Sequence, residues 1–171
     1  MATETKLRQL ADKGCPVYYF YSSERYLVRQ AVTAITRILT ADSDEDATVL
    51  DGAAPEIEQL IMAAGTISFF GTRRVVVLPE IDPAAYSDKD LEELNSTLSS
   101  LENAVVVLGS VFELERSKLK TGKRAQKLIA QCKALGYTEE LAKPKPFELK
   151  MMMIDRAKER KTTLPDGAAA A

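Results

Sequence analysis

The chain alternates between two hydrophobic rhythms. Val17-Tyr18-Tyr19-Phe20-Tyr21, Val75-Val76-Val77-Leu78 and Ala104 to Leu108 are runs with no charged interruption. Strands covered on both faces of a parallel sheet have this pattern, whereas a half-exposed strand alternates apolar with polar. Between the runs, apolar residues recur every three or four positions, the period of a helix with one buried face. Leu27, Ala31, Ile35 and Ile38 form one such stripe, widened by Val28, Val32 and Leu39. Ile57, Leu60, Ile61 and Ala64 form a second, and Leu91, Leu94, Leu98 and Leu101 a third. Leu128, Ile129, Cys132 and Leu135 form a fourth. Thr48-Val49-Leu50 and Tyr137-Thr138-Glu139 read as shorter strands, and Thr5 to Lys13 as a lead-in helix. Strand and helix in turn predict an α/β fold, a parallel five-stranded sheet flanked by helices.

Punctuation supports these boundaries. Ser22-Ser23 is suited to cap the first long helix, with Glu24 in its first turn. Pro55 fits the first position of the second. Ser87 and Asp90 have capping-box spacing, Gly65 and Gly136 end helices, and Asp82 reads as a loop cap. Ala41 to Asp46 is acidic and reads as a solvated turn. Pro144-Lys145-Pro146 breaks the alternation, and Phe147 to Arg160 reads as one more helix. The expected division is an α/β domain over 1–142 and the start of a helical domain over 143–171.

Composition narrows the chemistry. With 171 residues, 46% hydrophobic and 28% charged, the chain has ordinary globular values and enough length for a sizeable core. No apolar run approaches the ~20 residues that span a bilayer, and the N-terminus has no apolar signal region. A cytoplasmic protein is the expectation. The absence of histidine removes serine–histidine and cysteine–histidine catalysis and histidine-ligated metals. Cys15 and Cys132 lie too far apart to suggest a disulfide framework, and Cys132 falls on a buried stripe. A net charge of −2 gives no global attraction to nucleic acid. Lys118, Lys120, Lys123, Arg124, Lys127 and Lys133 form the one basic cluster, either a solvated helix face or a contact for DNA phosphates or an acidic subunit surface.

The turn after the first strand is where an α/β nucleotide-binding domain places its phosphate loop, and that loop needs glycines and a lysine. Here the turn is Tyr21-Ser22-Ser23-Glu24-Arg25-Tyr26, with no glycine and with a carboxylate where phosphate would lie. Arg25 alone is a weak anion site. No acidic pair closes a strand as a magnesium site requires. No cofactor, no metal and no catalytic residue are expected.

Thr66 to Ile81 carries the sharpest signal. Phe69 and Phe70 are adjacent, so on a strand they face opposite ways and on a helix they diverge by ~100°. One ring packing inward while the other is offered to a partner is one reading; both rings in the core is the other. Arg73 and Arg74 are either contacts at the rim of a partner or the solvated start of a strand.

With these residues in order, the chain resembles the delta subunit of bacterial DNA polymerase III. Val17 to Leu27 looks like the family's opening strand and Glu-x-Tyr-Leu helix start, with Ser22 where glycine is usual. Ser68 to Leu78 looks like its Leu-Phe-Gly-x-x-Arg-Val segment, with Phe69 at the leucine position. Ala104 to Leu119 is similar in hydropathy, with Glu115-Arg116-Ser117 where Asp-Lys-Arg is usual. The resemblance implies an AAA+-like (P-loop-type) fold without a functional phosphate-binding loop. It implies a non-hydrolysing clamp-loader module of the DNA polymerase III holoenzyme. In that family the module binds the sliding clamp, the beta subunit, and helps open it for DNA replication.

Ser68, Phe69, Phe70, Gly71, Arg73 and Arg74 would then be the clamp-binding residues, with the two rings as the wedge. Lys118, Lys120, Lys123, Arg124 and Lys127 would touch DNA or a subunit, DNA only within the assembly. Delta prime and the ATP-hydrolysing subunits are partners of a full-length form. The resemblance covers about the first half of the family's length, without the collar that assembles the loader. The readings from other classes are a degenerate nucleotide-binding NTPase-like enzyme and a plain adaptor using its Leu91–Leu101 helix.

Overall fold

A computed structural model describes residues 3–66, 71–143 and 145–159. The elements follow in the order α1 (Glu4–Asp12), β1 (Val17–Ser22), α2 (Arg25–Leu39), β2 (Thr48–Val49), α3 (Ile57–Gly65) and β3 (Arg74–Leu78). A short 3-10 turn at Pro83–Ala85 leads to α4 (Asp88–Ser99) and β4 (Ala104–Val111). A small hairpin, β5 (Leu114–Glu115) and β6 (Lys118–Leu119), precedes α5 (Lys123–Leu135), β7 (Tyr137–Glu140) and α6 (Pro146–Glu159). The described residues up to Leu141 pack as one compact unit, and those from Ala142 onward belong to a second. Arg160, the expected last residue of α6, and the tail after it lie outside the described residues.

Five strands form one sheet in the order β2-β3-β4-β1-β7, every pairing parallel. The unbroken apolar runs follow from this placement, because each strand sends alternate residues to two cores. Val17, Tyr19, Val76, Leu78, Val106 and Leu108 pack with the buried faces of α3, α4 and α5. Tyr18, Phe20, Val75, Val77, Val105 and Val107 pack with α1 and α2. A chain of hydrogen bonds satisfies the Tyr19 and Ser110 hydroxyls beneath the sheet. The Tyr19 hydroxyl donates to Ser110 Oγ at 2.9 Å, and Ser110 donates onward to the Ile81 carbonyl at 2.8 Å. Burial pushes the Cys132 thiol up to about 12, so it stays protonated as a core residue.

Several local expectations are corrected. Ser22 is the last strand residue, and Glu24 holds the cap position of α2 without a side-chain cap bond. Pro55 precedes α3, whose cap is Glu56, because the Pro55 carbonyl is taken by the Tyr86 hydroxyl at 3.1 Å. Ile61 is 46% exposed rather than part of the buried face. Glu45, within the acidic turn, is half-buried and ion-paired with Arg74. By contrast, Ser87 caps α4 by accepting from the Asp90 N–H at 3.0 Å, and Asp82 caps the 3-10 turn.

The β5–β6 hairpin stands where the sequence predicts only a loop, because its tip lacks the usual turn residues. Arg116 and Ser117 have φ of 51° and 66°, the left-handed pair that a two-residue hairpin normally fills with Asn-Gly. Gly136 is needed for a different reason. Its backbone is extended, and a Cβ there would stand 2.1 Å from the Val17 carbonyl oxygen. Two substitutions should therefore move stability in opposite directions in urea unfolding. Ser117→Gly is expected to stabilise by about 0.5–1 kcal/mol by relieving the left-handed conformation. Gly136→Ala is expected to destabilise by about 1–3 kcal/mol or more through overpacking against backbone.

Candidate functional site

A parallel sheet has an amino end and a carboxyl end, and the candidate residues divide between them. At the carboxyl end, where open α/β sheets bind ligands, the turn after β1 is tied to its own surroundings. The Ser22 hydroxyl donates to the Leu141 carbonyl at 2.6 Å and accepts from the Glu24 N–H at 3.1 Å. The Phe112 N–H donates to the Ser22 carbonyl at 2.9 Å. Arg25 makes an ion pair with Glu80 at 2.7 Å. The cation nearest a phosphate position thus already faces a carboxylate. Among the described residues no cluster of His, Cys, Asp and Glu could hold a metal ion.

The Phe-Phe stretch leads into β3 at the amino end. Ser68, Phe69 and Phe70 lie outside the described residues, but both flanks are defined. On one side α3 turns Ile57 and Leu60 inward and leaves Met62 74% exposed beside Ile61. The Thr66 hydroxyl donates to the Met62 carbonyl at 2.8 Å. On the other side Gly71 is exposed at φ 69°, a conformation open to glycine at little cost. Arg73 Nη1 donates to the Gly14 carbonyl at 2.9 Å and Nη2 to the Ala104 carbonyl at 3.3 Å. Arg74 Nη1 lies 2.7 Å from Glu45 Oε2, and its N–H donates to the Asn103 carbonyl at 2.9 Å. A groove of about 800 Å³ runs between α3, α4 and the start of β3, with Ile61, Ala64, Thr66, Gly71 and Leu101 in its wall.

The basic residues belong to the other end. Lys118 lies in the hairpin that follows the carboxyl end of β4, Lys120 directly after it, and Lys123, Arg124 and Lys127 open α5. Arg124 pairs with Asp88 at 2.9 Å, so it is not a free cation, while Lys118, Lys120, Lys123 and Lys127 are exposed. Cations in the first turn of a helix oppose its dipole, and every charged residue from Lys118 to Leu135 is basic. The two groups of candidate residues are therefore not one site. The adaptor reading loses its surface, because Leu91, Leu94 and Leu98 are buried against the sheet. Sequence reasoning missed Glu45 and Gly14 as partners of the arginines; at separations of 29 and 59 residues no local pattern announces them.

Comparison with known proteins adds a family. The sequence model described as DNA polymerase III, delta subunit, matches residues 18–135, well over half of the chain. DNA polymerase III subunit delta of Bacillus subtilis (strain 168) is 28% identical over 137 residues, which are 72% of this chain and 39% of that protein. Among solved structures, the Bacillus subtilis DNA clamp loader delta protein superposes with a TM-score of 0.63 at 23% identity, over 98% of this chain and 51% of that one. Domain III of the Thermotoga maritima replication initiation protein DnaA gives a TM-score of 0.58 at 13% identity, over 98% of this chain and 72% of that one. These structural likenesses concern the fold. The chain spans about two fifths of the curated relative and about half of the solved delta protein.

The carboxyl-end geometry generates one prediction. Titration with ATP and magnesium, followed by calorimetry, should give no saturable binding up to millimolar nucleotide. Saturation at micromolar ATP would require the Arg25–Glu80 pair to open, and would revive the nucleotide-binding reading.

Proposed function

Because the chain belongs to the DNA polymerase III delta subunit family, we propose that it is a clamp-loader module that binds the sliding clamp and helps to open it during DNA replication. Ser68, Phe69, Phe70 and Gly71 carry the contact, with one or both rings entering an apolar pocket of the clamp. The module hydrolyses nothing itself. In a full-length form, delta prime and the ATP-hydrolysing subunits would complete the assembly.

The observation that supports this reading best is the setting of the Phe-Phe segment. It follows exposed Ile61 and Met62 and precedes a tightly bonded re-entry into the sheet at Arg73 and Arg74. An apolar surface continuing into two aromatic residues suits a hot spot, whose central anchors cost about 2 kcal/mol or more on truncation. Two such anchors would support micromolar binding, near −8 kcal/mol, only if the segment that carries them is already positioned. Calorimetry against the clamp is the direct test. Phe69→Ala and Phe70→Ala together should weaken binding at least about 100-fold. Affinity equal to that of the native chain would end the wedge assignment.

The basic face at the opposite end is proposed as a contact for DNA phosphates within the assembly. The observation favouring it is the run of cations placed against the dipole of α5, an arrangement that an anionic partner relieves. Changing Lys118, Lys120, Lys123 and Lys127 to glutamine in the assembled loader should reduce the slope of log K against log salt by about 0.7–0.9 for each phosphate no longer neutralised. An unchanged slope would leave these lysines as a solvated face.

A further inference from the structure

We propose that Arg74 and Glu45, assisted by Arg73, form a positioning device that fixes the carboxyl-terminal end of the Phe-Phe segment and thereby sets its affinity for the clamp; this rests on the clamp-binding reading. Two arginines directly after an interface segment invite the reading that they touch the partner's rim. The geometry of Arg74 points inward, while Arg73 stays exposed and binds two backbone carbonyls. The Arg74 and Glu45 side chains are only 22% and 19% exposed, and their charged atoms are 2.7 Å apart. Holding a guanidinium and a carboxylate largely out of water carries a desolvation cost that a rim arginine left in solvent would not bear. The arrangement makes sense if its product is a fixed geometry.

Three separate parts of the chain converge on these two residues. Arg73 reaches the α1–β1 turn at Gly14 and the start of β4 at Ala104. Arg74 reaches the α2–β2 loop at Glu45, while its backbone pairs with Asn103. Within its acidic loop, Glu45 is half-buried where Asp42, Asp44 and Asp46 are exposed, so one carboxylate of the group has been turned inward. Gly71, left-handed and exposed, is the first described residue beyond this grip. A segment anchored at its exit loses less conformational freedom on binding, and affinity rises by that difference. Glu45 therefore contributes to clamp binding while making no contact with the clamp.

The test compares the native chain with Arg74→Ala, Glu45→Gln, the double variant, and the exchanged pair Glu45→Arg/Arg74→Glu. Clamp affinity is measured by calorimetry at two salt concentrations. Hydrogen exchange is followed at the amides from Thr66 to Val75. Each single variant should weaken binding about tenfold, and the double variant no more than either single, since both remove one device. The exchanged pair should recover affinity, and the salt dependence should match the native chain in all of them. Amides from Gly71 to Arg74 should exchange at least about tenfold faster in the single variants, while those of β1 keep their native protection.

Native affinity in Glu45→Gln beside weak binding in Arg74→Ala would assign Arg74 to direct contact and overturn the proposal. Unchanged exchange in both single variants would overturn it as well. If no variant and not even the native chain bound the clamp, the clamp reading would fall by itself. The exchange data would then decide alone whether the pair fixes the segment.

Discussion

A strand buried on both faces has no side chain left to offer a partner, so whatever it contributes to function must be delivered at its ends. That constraint governs β3. Val75 to Leu78 fill the two cores in alternation, and no substitution along them could add a binding surface without opening a cavity. The chain resolves this by loading the residues just before the strand. Gly71 takes a left-handed conformation, Arg73 and Arg74 supply the attachments, and only then does the run of valines begin. The apolar run and the chemistry beside it are two parts of one solution: a rigid element is the best support for a closely placed contact.

The carboxyl end illustrates how a ligand site can be closed without changing the fold. A phosphate cradle works by leaving backbone N–H groups and one cation unsatisfied until the anion arrives. In this chain the Ser22 carbonyl and hydroxyl are bonded to Phe112 and Leu141, and Arg25 is answered by Glu80. The overall fold is similar to that of domain III of DnaA. Fold and site chemistry are separable here, because the fold is stabilised by the buried valines and leucines while a phosphate cradle would depend on a few polar groups at one turn.

Much of this was legible in the amino-acid sequence. The three central strands follow from the unbroken apolar runs, since burial on both faces writes itself into every residue of a strand, while the edge strands β2 and β7 are short, largely unburied and carry a weaker pattern. The four helix stripes were equally readable, with Ile61 the exception: its spacing fits the buried face, yet Leu60, Ala63 and Ala64 supply the contacts with the core and Ile61 stays exposed. Long-range pairing was not legible. Nothing near Glu45 distinguishes it from its acidic neighbours; its role appears only when the sheet brings β3 beside the α2–β2 loop. The β5–β6 hairpin was hidden for the opposite reason, because its tip uses Arg116 and Ser117 where local rules call for Asn and Gly. The sequence singled out a candidate segment, whereas the polar contacts that flank it became visible only in the fold.

The division of candidate residues between the two ends of the sheet has a mechanical consequence. β3 is five residues long, so its first and last Cα atoms stand about 13 Å apart, beyond the span of any side chain. A contact made at one end and a contact made at the other would therefore use different side chains, joined only through the close-packed valines of the strand.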